Sequence, residues 1–217
     1  MRGRMALKIH DVSLRVREGM MVYEGNPQPK VDWVKKMPER TANESVLTLG
    51  SHTGTHMDAE LHAKSGGWKV SELKLEKVVG KCRVLDLADV EIGAGIGEKE
   101  LAGFGIKKGE IIVLKTKNSG RGFGEFKSDF VHVSMDGAEY LVKCGIAAVG
   151  IDSLGIQKFH SGNMKVHQVF LENGIPIFEG LDLGKVVAGE YFFVGLPINV
   201  EAEAAPARVI LIEGLKE

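Results

Sequence analysis

The chain has 217 residues, of which 44% are hydrophobic and 26% charged, with a formal charge of −1. That balance belongs to an ordinary globular protein with a core large enough to stand alone, and it offers no basic field to nucleic acid or an anionic bilayer. No apolar run is long enough to span a membrane, and the opening MRGRMALKIHDVSLRV lacks the continuous apolar stretch of a secretory signal.

Leu7–Val16 and Ser45–Gly50 are short and rich in Val, Leu and Ile, as strands are. Lys81–Leu87 is a further strand, Glu98–Gly103 a short helix, and Ile111–Lys115 a strand after the turn IKKGE. Asp136 to Cys144 reads as a helix. Asp136 is its expected N-cap, Ala138, Leu141 and Val142 its apolar stripe, and Gly145 its C′ residue. Ile146–Ile151 is an apolar run expected to be buried on both faces, and Lys185–Pro197 and Ala207–Glu213 close the chain as strands. Strands outnumber helices, and helices fall between strands, so an α/β domain with a substantial mixed sheet is expected. The 28 glycines are scattered as punctuation, with no repeat, low-complexity tract or composition shift, so residues 1–217 read as one domain. Cys82 and Cys144 form neither a zinc-knuckle spacing nor a disulfide framework. They read as buried thiols of a reducing compartment, which points to the cytoplasm.

Residues 51–62 read SHTGTHMDAELH and hold three of the chain's seven histidines with an aspartate and a glutamate. A helix would stack His52 over His56 but carry Asp58 about 240° away from His52. The β-branched Thr53 and Thr55 around Gly54 also disfavour it. In an extended chain His52, His56, Asp58 and His62 share one parity and face. A straight strand separates positions 52 and 58 by about 20 Å, whereas zinc ligands lie about 2.0–2.2 Å from the ion. The segment must therefore curl, and Gly54 is placed to allow it. Two imidazoles and a carboxylate suit Zn²⁺, Mn²⁺ or Fe²⁺ with an open position for water, and His62 beside them suits a general base or acid. The plainer reading, two histidines four apart around a turn, stays open on these residues alone.

Residues 167–180, HQVFLENGIPIFEG, supply His167 and Glu179 as further candidates. Asn173-Gly174 could close a two-residue hairpin, which would turn His167 away from Glu179. It could instead cap a helix over Lys165–Glu172 ahead of a strand Ile175–Glu179, which leaves the two groups free to converge. The helix is preferred. Glu179 ends an apolar run, so it either needs a partner or reaches the surface. His160 reads as a loop histidine, and His10 and His132 have no partner in the sequence. Tyr23, Trp33, Trp68 and Phe123 read as packing residues that could also line a pocket.

Together these segments resemble the metal-dependent cyclase family, which includes bacterial kynurenine formamidases and isatin hydrolases. The family pattern H-x-G-T-H-x-D-x-P-x-H is matched by His52-Thr-Gly-Thr-His56-Met-Asp58-Ala-Glu60-Leu-His62, and its later G-I-P-I-hydrophobic-E core by GIPIFEG, with His167 twelve residues before Glu179. DVSLRVREGMMVYEGNPQP, KKGEIIVLKT and GIAAVGIDSLGIQ resemble three further family segments. The resemblance implies a swivelling β/β/α fold in a homodimer or homotetramer. It implies one or two divalent ions, Zn or Mn, held by His52, His56 and Asp58 and by His167 and Glu179, with Asp58 bridging. It also implies His62 as the catalytic histidine, and hydrolysis of a small amide, lactam or lactone, N-formylkynurenine foremost. An unrelated metabolite, or metal binding without turnover, is the alternative. Two positions depart from the family. Glu60 stands for its proline and reads as a solvated loop residue, and Ala63 stands where an aromatic residue is usual.

Overall fold

The computed structural model describes residues 7–215. Met1–Ala6, part of the segment read for a secretory signal, lie outside the described residues. Among the described residues, no helix is long and apolar enough to cross a membrane.

Among the described residues, twelve strands and four short α-helices follow one another as β1 Lys8–Asp11, β2 Lys30–Lys35, β3 Glu44–Thr48, β4 His56–Asp58, β5 Val79–Asp86, β6 Gly95–Ile96, α1 Glu98–Leu101, β7 Ile111–Lys115, α2 Asn118–Arg121, β8 His132–Val133, α3 Met135–Cys144, β9 Ala148–Ile151, α4 Lys165–Leu171, β10 Ile177–Glu179, β11 Gly189–Pro197 and β12 Ala204–Glu213. The main sheet runs β1-β12-β11-β5-β7-β9-β10-β4, and β4 pairs back onto β12. The early part of β12, Ala204–Pro206, takes β4, and its end, Ile210–Glu213, takes β1 on the same edge. Seven strands thus close a ring with β1 appended. The ring is mixed: β5, β7, β9 and β10 run parallel, and the remaining pairings are antiparallel. The expected α/β mixed sheet is present, and its closed, barrel-like form fits the swivelling β/β/α type.

Strand alternation sorts the side chains. Met57, Cys82, Val84, Ile111, Val113, Phe178, Phe193 and Val209 point into the ring and form one buried cluster. The intervening residues Leu85, Ile112, Leu114, Val149, Ile151 and Ile177 point outward and are covered by Leu141 of α3 and Phe170 of α4. Strands covered on both faces must be apolar throughout, which is why IIVLK and AVGI lack alternation. The rings of Phe178 and Phe193 meet at 5.1 Å inside. Gly195 leaves room for them, since a Cβ there would lie 2.4 Å from Phe193.

Helix α3 ends as expected, with Gly145 in the left-handed region at φ 72°. Its N-cap is Ser134, not Asp136. Asp136 lies in the first turn and accepts a bond from the amide of Glu98, so it serves the start of α1 instead. The helix reading of Lys165–Glu172 holds rather than the hairpin. The amides of Gly174 and Ile175 fold back on the carbonyls of Leu171 and Phe170, with Gly174 at φ 65°. Cys82 is buried, while Cys144 is only half-buried. Strand β2, not foreseen, forms with β3 a separate hairpin outside the main sheet. This hairpin leaves Trp33, Val34, Met37, Val46 and Leu47 exposed.

Candidate metal centre

Strand β4 lies between β10 and β12, and the β10 register sets Glu179 opposite His56 and Ile177 opposite Asp58. Met57 and Phe178 face the interior, so His56, Asp58 and Glu179 share the outer face. Helix α4 lies over that face and contributes His167. His52 enters from the turn before β4 and His62 from a 3₁₀ turn, Glu60–His62, just after it. The curl demanded by the spacing occurs at Gly54, φ 64°. It is pinned by Thr55, whose hydroxyl donates to the carbonyl of Gly180 at 2.6 Å and accepts from the amide of Leu14 at 2.8 Å. Gly180, φ 70°, approaches so closely that a Cβ would sit 2.8 Å from the carbonyl oxygen of Gly54.

All six candidate residues converge. His52 Nδ1 lies 3.1 Å and His56 Nε2 3.5 Å from Asp58 Oδ1. His56 Nε2 is 3.3 Å from Glu179 Oε2, and His167 Nε2 is 3.4 Å from Glu179 Oε1 and 4.0 Å from Asp58 Oδ2. The His62 ring is centred 4.3 Å from that of His52 and 5.4 Å from that of His167. Two groups have ligand atoms within 4.8 Å of one another, His52/His56/Asp58 and Asp58/His62/His167, with Asp58 in both.

Asp58 is 0% exposed, and among the described residues its carboxylate oxygens have only imidazole nitrogens beside them, none in good hydrogen-bond geometry. His56 Nε2 and His167 Nδ1 are likewise buried and unpartnered. A fully buried carboxylate without donors is costly unless a cation meets it. The tautomer of His56 suits this use, because Nδ1 donates to the carbonyl of Gly54 at 2.9 Å and leaves the Nε2 lone pair directed inward. The residues therefore fit a divalent ion with nitrogen and oxygen donors.

The electrostatics agree. Burial pulls the His56 imidazole down, but Asp58 and Glu179 together outweigh it and raise it to about 9. His167 is raised in the same way, against burial, by Glu179 and Asp58. Burial pushes Glu179 up, but His167 and His56 hold it well below the usual carboxylate range. The carboxylates thus favour positive charge here, which protons on the imidazoles or a displacing metal ion can supply. His62 behaves oppositely. Burial lowers it, with His52 and His167 acting in the same direction, and the lowering prevails over the raising by Asp58 and Glu179.

Beside these residues opens a cleft of about 320 Å³, bordered by Tyr23, Leu154, Lys158, His160 and Met164. Tyr23 belongs to an aromatic wall, with ring centres 4.9 Å from Phe126 and 5.6 Å from Phe159. His160 is a loop residue as expected, yet it borders the cleft, stacked on Phe159 at 3.9 Å. Trp33 is exposed, the indole of Trp68 donates to the carbonyl of Leu171, and Phe123 lines a separate small cavity. His10 does have a partner, Glu213 at 3.3 Å. Glu60 is not a solvated loop residue. Its carboxylate accepts from the Trp68 amide at 3.3 Å and from Lys64 Nζ at 3.0 Å, bracing the loop that follows the cluster. The sequence reading missed Asp152, which accepts bonds from the backbone and hydroxyls of Thr116 and Ser119 and from Asn118 Nδ2, and so anchors the loop behind the cleft. It also missed Glu203, brought beside His52 by the β12–β4 pairing.

The putative cyclase family model matches residues 10–158, more than half of the chain. The chain belongs to this cyclase family. A kynurenine formamidase of Bacillus mycoides (strain KBAB4) is 32% identical over 183 residues, covering 84% of this chain and 85% of that protein. A kynurenine formamidase of Salinibacter ruber is 30% identical, covering 93% and 95%. Among solved structures, a potential metal-dependent hydrolase with cyclase activity superimposes with a TM-score of 0.85 at 37% identity, covering 97% of this chain and all of that one. An isatin hydrolase shares the fold at TM-score 0.84 and 16% identity, covering 95% of this chain and 92% of that one.

Proposed function

We propose that this cyclase-family chain is a metal-dependent hydrolase of a small amide, lactam or lactone, with N-formylkynurenine, cleaved to kynurenine and formate, as the best single substrate. The observation that carries it is Asp58, fully buried, with no hydrogen bond of good geometry to its carboxylate and three imidazoles converging on it beside an open cleft. His52, His56 and Asp58 hold one ion, Zn or Mn. His167 and Glu179, sharing Asp58, hold a second where two bind. A bound ion supplies Lewis-acid polarisation of the scissile carbonyl and activation of water at neutral pH.

The protein's own groups do the rest. His62, favoured as the neutral imidazole chiefly by burial, accepts a proton from the attacking water and returns it to the leaving nitrogen or oxygen. Tyr23, which borders the cleft and is itself packed on Phe126 and Phe159, offers a ring for a flat aryl substrate to pack against. The relatives named kynurenine formamidase support the substrate choice. A cytoplasmic setting and a homodimer or homotetramer belong to the same proposal, supported by the two free thiols and by the exposed apolar hairpin β2–β3.

The test is elemental analysis of protein purified without added metal, then assay on N-formylkynurenine, isatin and a simple lactone before and after chelation. Hydrolysis that chelation abolishes and Zn²⁺ or Mn²⁺ restores is expected. Metal-loaded protein that cleaves none of the three overturns the reading, and a His62→Ala variant that keeps both metal and full turnover overturns the role of His62.

A further inference from the structure

Two imidazoles flank Asp58 from the N-terminal side, and the structure orients them by different means. His56 is fixed from within its own loop through Nδ1 and the carbonyl of Gly54. His52 has no such local acceptor. Its Nδ1 faces Asp58 Oδ1 at 3.1 Å, and its Nε2 faces Glu203 Oε1 at 3.5 Å. That same Glu203 oxygen accepts the hydroxyl proton of Ser51 at 2.6 Å. The backbone of Glu203 is tied to the site as well, since its carbonyl accepts the amide of Ala59 at 2.8 Å and the next residue, Ala204, pairs in register with Asp58. Glu201, two residues earlier, instead pairs at the surface with Lys69 Nζ at 3.2 Å.

We propose that Glu203 is a positioning residue for the metal centre: it accepts a hydrogen bond from the Nε2–H of His52 and thereby presents the Nδ1 lone pair of that ring to the ion shared with Asp58. The two histidines then enter with opposite nitrogens, His52 through Nδ1 and His56 through Nε2. A carboxylate behind a ligating imidazole fixes its tautomer and ring angle and raises its basicity. Ser51 holds the carboxylate in place for this. Because the Glu203 side chain is 37% exposed, replacing it strands no buried charge, and the variant is expected to keep the fold.

The inference rests on the metal-centre reading, and its test reads metal rather than turnover. The zinc dissociation constant is measured by chelator competition for the wild type and for Glu203→Ala, Glu203→Gln, Ser51→Ala and Glu201→Ala, and thermal unfolding of the chelated proteins controls for the fold. Loss of such a supporting group weakens binding by about 10–100-fold, so that range is expected for Glu203→Ala. A smaller loss is expected for Ser51→Ala, partial rescue for Glu203→Gln (whose amide oxygen still accepts the proton), and none for Glu201→Ala. Unfolding midpoints of the chelated forms should coincide. In ¹¹³Cd-loaded, ¹⁵N-labelled protein, the His52 coupling should fall on Nδ1 and the His56 coupling on Nε2. Wild-type zinc affinity in Glu203→Ala, or coupling through His52 Nε2, overturns the role of Glu203 and leaves the metal centre standing. A wild type that binds no divalent ion overturns both.

Discussion

Replacing Thr55 with valine removes one hydroxyl while keeping the shape of the side chain. That hydroxyl is buried, with Thr55 2% exposed, and it serves both the carbonyl of Gly180 and the amide of Leu14. Among the described residues these are the two groups' hydrogen bonds of good geometry, so the variant strands an acceptor and a donor at the junction of the β4 and β10 approaches. Each buried polar group left unsatisfied costs about 1–3 kcal/mol, which puts the loss at about 2–6 kcal/mol. Thr55→Ser keeps both bonds and deletes only a methyl group, at a cost of about 1 kcal/mol. Equilibrium urea unfolding of chelated protein measures both, without the added stability that a bound ion confers on the folded state. The expected order is wild type, then Thr55→Ser, then Thr55→Val well below. A valine variant at least as stable as the serine variant would refute the assignment of these two bonds as the clamp on the loop.

Adding zinc to chelated wild type should raise its unfolding midpoint, with a stabilisation of about 2.7 kcal/mol at a hundred times the dissociation constant, and Asp58→Asn should lose this response. Gly180→Ala forces a side chain into the left-handed region against the carbonyl of Gly54. Calorimetry should show destabilisation of at least about 1–3 kcal/mol from the backbone strain, and chelator competition weaker zinc binding. Burial, aided by Lys158, lowers the imidazole of His132 against the opposing carbonyl of Phe130. A depressed histidine adds stability above its unfolded value near 6.5 and loses it as pH falls through the lower folded value. His132→Gln should therefore flatten the acid limb of the stability profile below about pH 6.5, seen by urea midpoints taken from pH 7.5 downwards.

How much of the site the sequence discloses can be judged residue by residue. His52, His56, Asp58 and His62 share a parity and Gly54 sits among them, so one curled segment delivers all four, and that is a local property of the chain. His167 and Glu179 are legible as a pair because a helix and a strand adjoin across Asn173-Gly174. Glu203 is not legible. Nothing distinguishes it from Glu201 until β12 pairs with β4 and carries one of the two beside His52. Asp152 likewise reads as one more loop acid until the fold turns five donors on it. Glu60 misled in the other direction, since its use depends on where the Trp68 amide arrives.

The same division holds for the fold. Apolar periodicity and glycine punctuation determine that β7, β9 and α3 exist and roughly where they end, because hydrogen bonding within a helix and alternation along a strand are short-range. Three-residue strands such as β4 and β10 carry too little pattern to be read alone, and they exist because their neighbours supply the ladder. By itself the sequence determined a mixed α/β chain with a candidate metal-ligand cluster of a recognisable family. Closure of the ring decided the rest: which face of β4 points outward, which carboxylate stands behind which histidine, and where the cleft opens. Those choices depend on contacts between residues more than a hundred positions apart, His52 with Glu203 among them, which no local pattern encodes.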